Sequence, residues 1–165
     1  MPVAERRFAN EIARFNKSIE YLAPNNNFTL SKVDDKHCIV TIPITDYEND
    51  GIKSQCANLG VRPDITIGIY NTKHYPFNPP FVWIISPVFR KKTSDCNFNL
   101  QISEKVADTH LVRTSFGEIL EVVLKCLADG DFILREEQED ITVEKIKLND
   151  NGYPVDYEHI AIYQG

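Results

Sequence analysis

Four side chains in this sequence can act as nucleophiles through sulfur: Cys38, Cys56, Cys96 and Cys126. A thiol attacks as its thiolate, so a reactive cysteine must be reachable and must lie where positive charge favours the anion. Cys96 meets those demands best. It sits in the polar stretch Lys91-Lys92-Thr93-Ser94-Asp95-Cys96-Asn97, with Arg90, Lys91 and Lys92 upstream to favour the anion and Asp95 to oppose it. An incidental loop cysteine would have the same neighbourhood. Cys38 opens a β-branched run and Cys126 lies between Val123 and Leu127, so both read as structural, because free cysteine packs like a small hydrophobe. Cys56 lies in a polar stretch that suggests no role. There is no C-x-x-C pair and no His/Cys cluster at zinc spacing, so free thiols and no metal are expected, the usual state inside a cell.

The elements that must position these residues begin with a helix over residues 4–22. Phe8, Ile12, Phe15, Ile19 and Leu22 recur at steps of four and three, one apolar stripe, and Ala23-Pro24-Asn25-Asn26-Asn27 ends it. Strands follow at Phe28–Val33, Cys38–Ile44, Ile65–Tyr70 and Phe81–Ile85, each alternating or rich in β-branched residues. The stretch from about Thr45 to Arg62 is polar and reads as a loop. Tyr75-Pro76-Phe77-Asn78-Pro79-Pro80 must be a turn, since its prolines forbid a helix or a central strand. Trp83 belongs to a buried strand. Residues 86–112 read as irregular. Thr114 or Ser115 caps a second helix that runs to about Ala128 on Phe116, Ile119, Leu120, Val123, Leu124 and Leu127, with Asp129-Gly130 as the stop. Beyond Asp131 the pattern loosens into short pieces around residues 141–148. The expected class is α+β: an N-terminal helix, a four-stranded antiparallel meander, a second helix packed on the sheet and a C-terminal tail.

At 165 residues the chain is expected to form a single domain, 1–165. Hydrophobic residues make up 42% and charged residues 25%, which argues against disorder. The net charge of −6 argues against a nucleic-acid partner, whose phosphates demand clustered positive charge. No apolar run approaches a membrane span and the first residues lack a secretory pattern, so an intracellular protein, cytoplasmic or nuclear, with no membrane partner is expected. The charge is uneven. Residues 1–80 hold nine Lys+Arg and nine Asp+Glu, whereas residues 81–165 hold nine against fifteen. Asp129, Asp131, Glu136, Glu137, Glu139 and Asp140 account for most of the excess, a solvated face or a surface for a basic partner.

A helix, a meander and then Tyr75-Pro76-Phe77-Asn78-Pro79-Pro80 resemble the ubiquitin-conjugating enzyme (UBC-like) fold, in which a Tyr-Pro-x-x-Pro-Pro turn leads from the third strand to the fourth. The resemblance covers about residues 4–128 and leaves 129–165 as a divergent acidic tail. The family's signature is His-Pro-Asn with a cysteine eight residues after the Asn. Here Ser86-Pro87-Val88 precedes Cys96 at that distance, so Pro87 is kept and the His and Asn are lost. The short run from Pro80 to this motif looks most like the Q-type conjugating enzymes.

The resemblance implies that Cys96 takes a modifier's C-terminus as a thioester and yields it to an amine or another thiol, without a cofactor. It implies ubiquitin or a ubiquitin-like protein, an activating enzyme and a ubiquitin ligase as partners. The missing Asn would stabilise the oxyanion or hold the loop, and losing one oxyanion donor costs roughly 10²–10³ in rate in other acyl transfers. The Val88 side chain cannot donate. Asn97 and Asn99 are candidates to supply an amide and His110 a candidate base. Tyr75, Pro76, Phe77, Pro79 and Pro80 read as structural, with Phe77 and Asn78 also placed to meet a ligase. Arg6, Arg7, Arg14 and Lys17 are candidates to meet the activating enzyme. The tail lacks the two further helices of common members. Two readings follow: a non-standard conjugating enzyme using Cys96, or an inactive variant that binds ubiquitin or a peptide.

Overall fold

The computed structural model describes residues 3–22, 28–33, 36–43, 50–72, 74–92, 98–128, 132–136 and 138. The element order is α1 (Val3–Leu22), β1 (Thr29–Lys32), β2 (His37–Pro43), α2 (Asp50–Leu59), β3 (Asp64–Tyr70), β4 (Phe81–Ser86), β5 (Phe89–Lys91), α3 (Phe98–Thr109), α4 (Phe116–Ala128) and β6 (Phe132–Leu134). Strands β1 to β4 form an antiparallel meander in chain order, and β5 pairs with β6 in a second small sheet. The expected α+β architecture is the one the chain adopts. Among the described residues no helix is long and apolar enough to cross a membrane.

Register explains the core. Cys38, Val40 and Ile42 stand opposite Ile69, Ile67 and Ile65, and Ile69 and Ile67 stand opposite Val82 and Ile84. Strand side chains alternate, so these eight share one face. That face packs with Phe8 and Phe15 of α1, Ile102 and Val106 of α3, and Phe116, Ile119, Leu120 and Val123 of α4 in one buried cluster. The other face carries His37, Tyr70, Phe81 and Trp83. The His37 ring stacks on Tyr70 at 5.1 Å, and Tyr70 lies 6.1 Å from Phe81 and 6.3 Å from Trp83. Gly68 lies beneath Tyr70 and Trp83, where a Cβ would come within 2.6 Å and 2.9 Å of their rings. Glycine is required by close approach here.

Helix α4 starts where a capping residue was expected, at Ser115. Its Oγ accepts the Glu118 N–H at 3.1 Å, and its own N–H donates to Glu118 Oε1 at 3.4 Å, a reciprocal capping box. Glu11 of α1 adds a second cap across 105 positions, accepting the buried Phe116 N–H at 3.1 Å. Arg7 donates to Glu11 and to the Thr114 carbonyl, each at 3.3 Å. A carboxylate at a helix N-terminus is favoured by both the free N–H groups and the helix dipole.

Three stretches depart from expectation. The polar stretch 45–62 contains α2, which buries Cys56 and closes on Gly60 at φ 69°, with Val61 N–H donating to the Cys56 carbonyl at 2.9 Å. The stretch 86–112 contains β5 and α3, so it is not irregular. The chain after Ala128 returns to the core. β6 pairs with β5 (Phe89 opposite Leu134, Lys91 opposite Phe132), and the Phe89 and Phe132 rings meet edge to face at 5.1 Å. Leu134 N–H donates to Gln55 Oε1 of α2 at 2.8 Å. The packed body therefore extends past residue 128.

Candidate functional site

The proline turn is built from its own hydrogen bonds. Tyr75 N–H donates to the Thr72 carbonyl at 3.1 Å, Asn78 N–H to the His74 carbonyl at 2.9 Å, and the Thr72 hydroxyl to the Pro79 carbonyl at 3.0 Å. The Tyr75–Pro76 peptide is cis. Tyr75 is buried, edge-on to Phe8 at 6.1 Å. Burial, and after it the Glu11 carboxylate, hold its hydroxyl above the usual phenol range. His110 donates from Nε2 to the Pro76 carbonyl at 2.7 Å, since a carbonyl can only accept. That bond joins the turn to the loop before α4. Phe77 is 71% exposed on one loop, and Leu111 (54%) and Val112 (49%) on the other. Asn78, next in sequence to Phe77, is exposed as well.

The motif segment lies at the far end of β4. The β3–β4 register shifts between Thr66 and Ile67, so that Thr66 faces Ser86 while Ile67 faces Ile84, and β4 carries one extra residue at Ile85. Ser86–Pro87 is a cis peptide. Val88 is 3% exposed, and both of its backbone groups bond to the chain beyond β6. Its N–H donates to Gln138 Oε1 at 2.8 Å. Its carbonyl accepts Gln138 Nε2 at 3.0 Å and the Arg135 N–H at 2.9 Å. Gln138 Nε2 also donates to the Arg135 carbonyl at 2.7 Å.

Strand β5 follows at once and carries Arg90 and Lys91, and Lys92 is exposed. Cys96 and Asn97 lie outside the described residues. Asn99 falls in the first turn of α3, its side chain likewise outside them. The three described cysteines, Cys38, Cys56 and Cys126, are buried and form no disulfide. Burial pushes the Cys38 thiol up to about 12 and raises that of Cys56, so neither is a thiolate near neutral pH. Of the basic residues on α1, Arg6, Arg14 and Lys17 are exposed, whereas Arg7 is half-buried on Glu11 and Thr114. Among the tail acids, Glu136 is exposed, and Asp129, Asp131, Glu137, Glu139 and Asp140 lie outside the described residues.

Sequence reasoning did not single out Leu111, Val112 or Gln138. The last had a signal. It is the one uncharged residue in Glu136-Glu137-Gln138-Glu139-Asp140, an amide where the surrounding composition is carboxylate.

No protein-family model matches the chain, and no curated protein matches it. Solved structures do. Human ubiquitin-conjugating enzyme E2 G1 aligns with a TM-score of 0.51 at 19% identity, over 78% of this chain and 98% of that one. The chain has the ubiquitin-conjugating fold. A ubiquitin conjugating enzyme E2 from Plasmodium falciparum also aligns, with a TM-score of 0.48 at 17% identity, over 76% of this chain and 98% of that one. In terms of this fold, the meander is the scaffold, the proline turn joins its last two strands, and Ser86-Pro87-Val88 leads from the sheet towards the segment that holds Cys96.

Proposed function

We propose that this protein is a non-standard ubiquitin-conjugating enzyme that carries ubiquitin or a ubiquitin-like modifier as a thioester on Cys96 and passes it to a substrate or a ligase. The observation that carries this is the pairing of the fold with the spacing: Pro87-Val88 follows β4, and a cysteine stands eight residues after Val88. The burial of the other three cysteines supports it, since a modifier's C-terminus needs an accessible sulfur. The lost His and Asn and the short run after Pro80 suit the Q type.

In this reading the Cys96 thiolate attacks the carbonyl of the modifier's thioester on the activating enzyme. A tetrahedral oxyanion forms, the activating enzyme's thiolate leaves, and the new thioester rests on Cys96. An amine or thiol then attacks that carbonyl and expels the Cys96 thiolate. Asn97 and Asn99 are the amides nearest in sequence to the developing oxyanion. His110 donates to Pro76, so we assign it to holding the partner surface together rather than to proton transfer at sulfur. Phe77, Asn78, Leu111 and Val112 form the face offered to a ligase, an exposed apolar group on two linked loops. Arg6, Arg14 and Lys17, exposed on α1, are the basic residues offered to the activating enzyme, and Arg7 is half-buried beside them.

The test is incubation with activating enzyme, ATP and ubiquitin or a ubiquitin-like protein. A thiol-sensitive adduct that vanishes in Cys96→Ser is expected. Absence of any adduct with every modifier overturns the reading. One observation favours the inactive alternative. Position 88 has no side-chain donor and its backbone groups are already bonded, so it offers nothing to an oxyanion. Binding of ubiquitin without an adduct would establish that alternative.

A further inference from the structure

We infer that Gln138 is the positioning residue of the motif loop, doing from the far end of the chain what an Asn side chain at position 88 cannot do here. A side-chain amide has an acceptor oxygen and two N–H donors. Gln138 uses all three groups. Its oxygen takes the Val88 N–H, and its nitrogen gives one hydrogen to the Val88 carbonyl and one to the Arg135 carbonyl. The pair of bonds to Val88 is the pattern by which one strand residue grips another. A flipped amide would set its nitrogen against the Val88 N–H and its oxygen against two carbonyls, so the chemistry permits one orientation.

The same reasoning explains why position 138 is not a carboxylate like its neighbours. A glutamate could accept the Val88 N–H, but its second oxygen would face two carbonyl oxygens. The Arg135 N–H, bonded to the Val88 carbonyl, completes the clamp and ties it to the end of β6. Val88 is thus held by backbone and side chain from 47 to 50 positions later, immediately before the strand that leads towards Cys96.

The inference concerns the site of the proposed enzyme and rests on that reading for its catalytic half. The experiment separates the two. Amide hydrogen exchange at Val88 is measured in wild type, Gln138→Ala and Gln138→Glu, together with single-turnover discharge of the loaded thioester. Glu118→Ala, which removes half of the α4 capping box, serves as a destabilised control with the motif intact. Loss of the clamp is expected to speed exchange at Val88 by about tenfold or more in Gln138→Ala, in keeping with the loss of a part-buried hydrogen bond, and by less in Gln138→Glu, which can still accept the Val88 N–H. Discharge is expected to slow several-fold in both variants, with the acceptor concentration for half-maximal rate unchanged, and to stay near wild type in Glu118→Ala. Unchanged Val88 exchange overturns the proposal. So does equal slowing in Glu118→Ala, which would reduce Gln138 to general stability. If wild type forms no adduct, the enzyme reading and the catalytic half fall together, and Val88 exchange alone decides whether Gln138 clamps the loop.

Discussion

Replacing Gly68 with alanine sets backbone entropy against packing, and the structure decides the sign. Glycine inside a strand costs about 0.5–1 kcal/mol relative to alanine, so with free space the substitution would stabilise. There is no free space. The new Cβ would lie 2.6 Å from Tyr70 Cε2, 2.9 Å from Trp83 Nε1 and 3.0 Å from the Tyr70 hydroxyl. Carbon atoms pack comfortably at about 3.5–4.0 Å, so the Tyr70 ring would have to retreat by roughly 1 Å. It is fully buried, with His37 stacked on it and Trp83, also fully buried, beside it. Overpacking of this kind costs about 1–3 kcal/mol. The balance is a net loss of up to about 2.5 kcal/mol. Trp83 is the sole tryptophan of the chain, so its fluorescence reports on the contact itself. Urea unfolding followed by that fluorescence and by far-ultraviolet dichroism should show a lower midpoint with an unchanged slope. A raised midpoint, or an unchanged midpoint with unchanged emission, would refute the packing argument.

Three further outcomes are expected. Stability should fall with rising pH between about 9 and 12, because the folded state holds the Cys38 thiol protonated up to about 12 while the unfolded chain releases that proton from about 9; a Cys38→Val variant should flatten this part of the pH–stability curve. Ser115→Ala should cost about 1 kcal/mol in chemical denaturation through loss of the α4 cap, and more than that would mean the capping loop also reorganises. Phe77→Ala and Leu111→Ser should leave the melting temperature within a degree or two, since both side chains are exposed, while weakening ligase-stimulated discharge together; a ligase response untouched by both would remove the partner face from consideration.

The parts of the fold that were legible are those with long local patterns. Ile65-Thr66-Ile67-Gly68-Ile69 and Phe81-Val82-Trp83-Ile84-Ile85 announce strands, and Phe8, Ile12 and Phe15 announce a helix face. Helices α2 and α3 escaped because, among their described side chains, few are buried: Cys56 in one, Ile102 and Val106 in the other, in sequences rich in Asn, Gln, Ser and Asp. Strands β5 and β6 have three residues each and exist through pairing with one another across more than forty positions, so neither carries a local signal. At the proposed site, Pro87 and the distance to Cys96 were visible as spacing. His110 was visible only as a residue type. Its bond to Pro76 depends on tertiary placement, as does the grip of Gln138 on Val88.

That grip also orders events in time. A ribosome adds about 5–20 residues per second, so the 50 positions between Val88 and Gln138 correspond to about 2.5–10 s of synthesis. The meander closes through neighbours that emerge one after another, and it can form as it is made. The motif segment cannot. Cys96 is already in the nascent chain while the residue that holds Val88 has yet to be translated, and α1, made first, waits for Phe116 before Glu11 has its N–H to accept. The scaffold is early and the clamp is late, so a chain interrupted before residue 138 would carry the proposed nucleophile without the bonds that hold Val88.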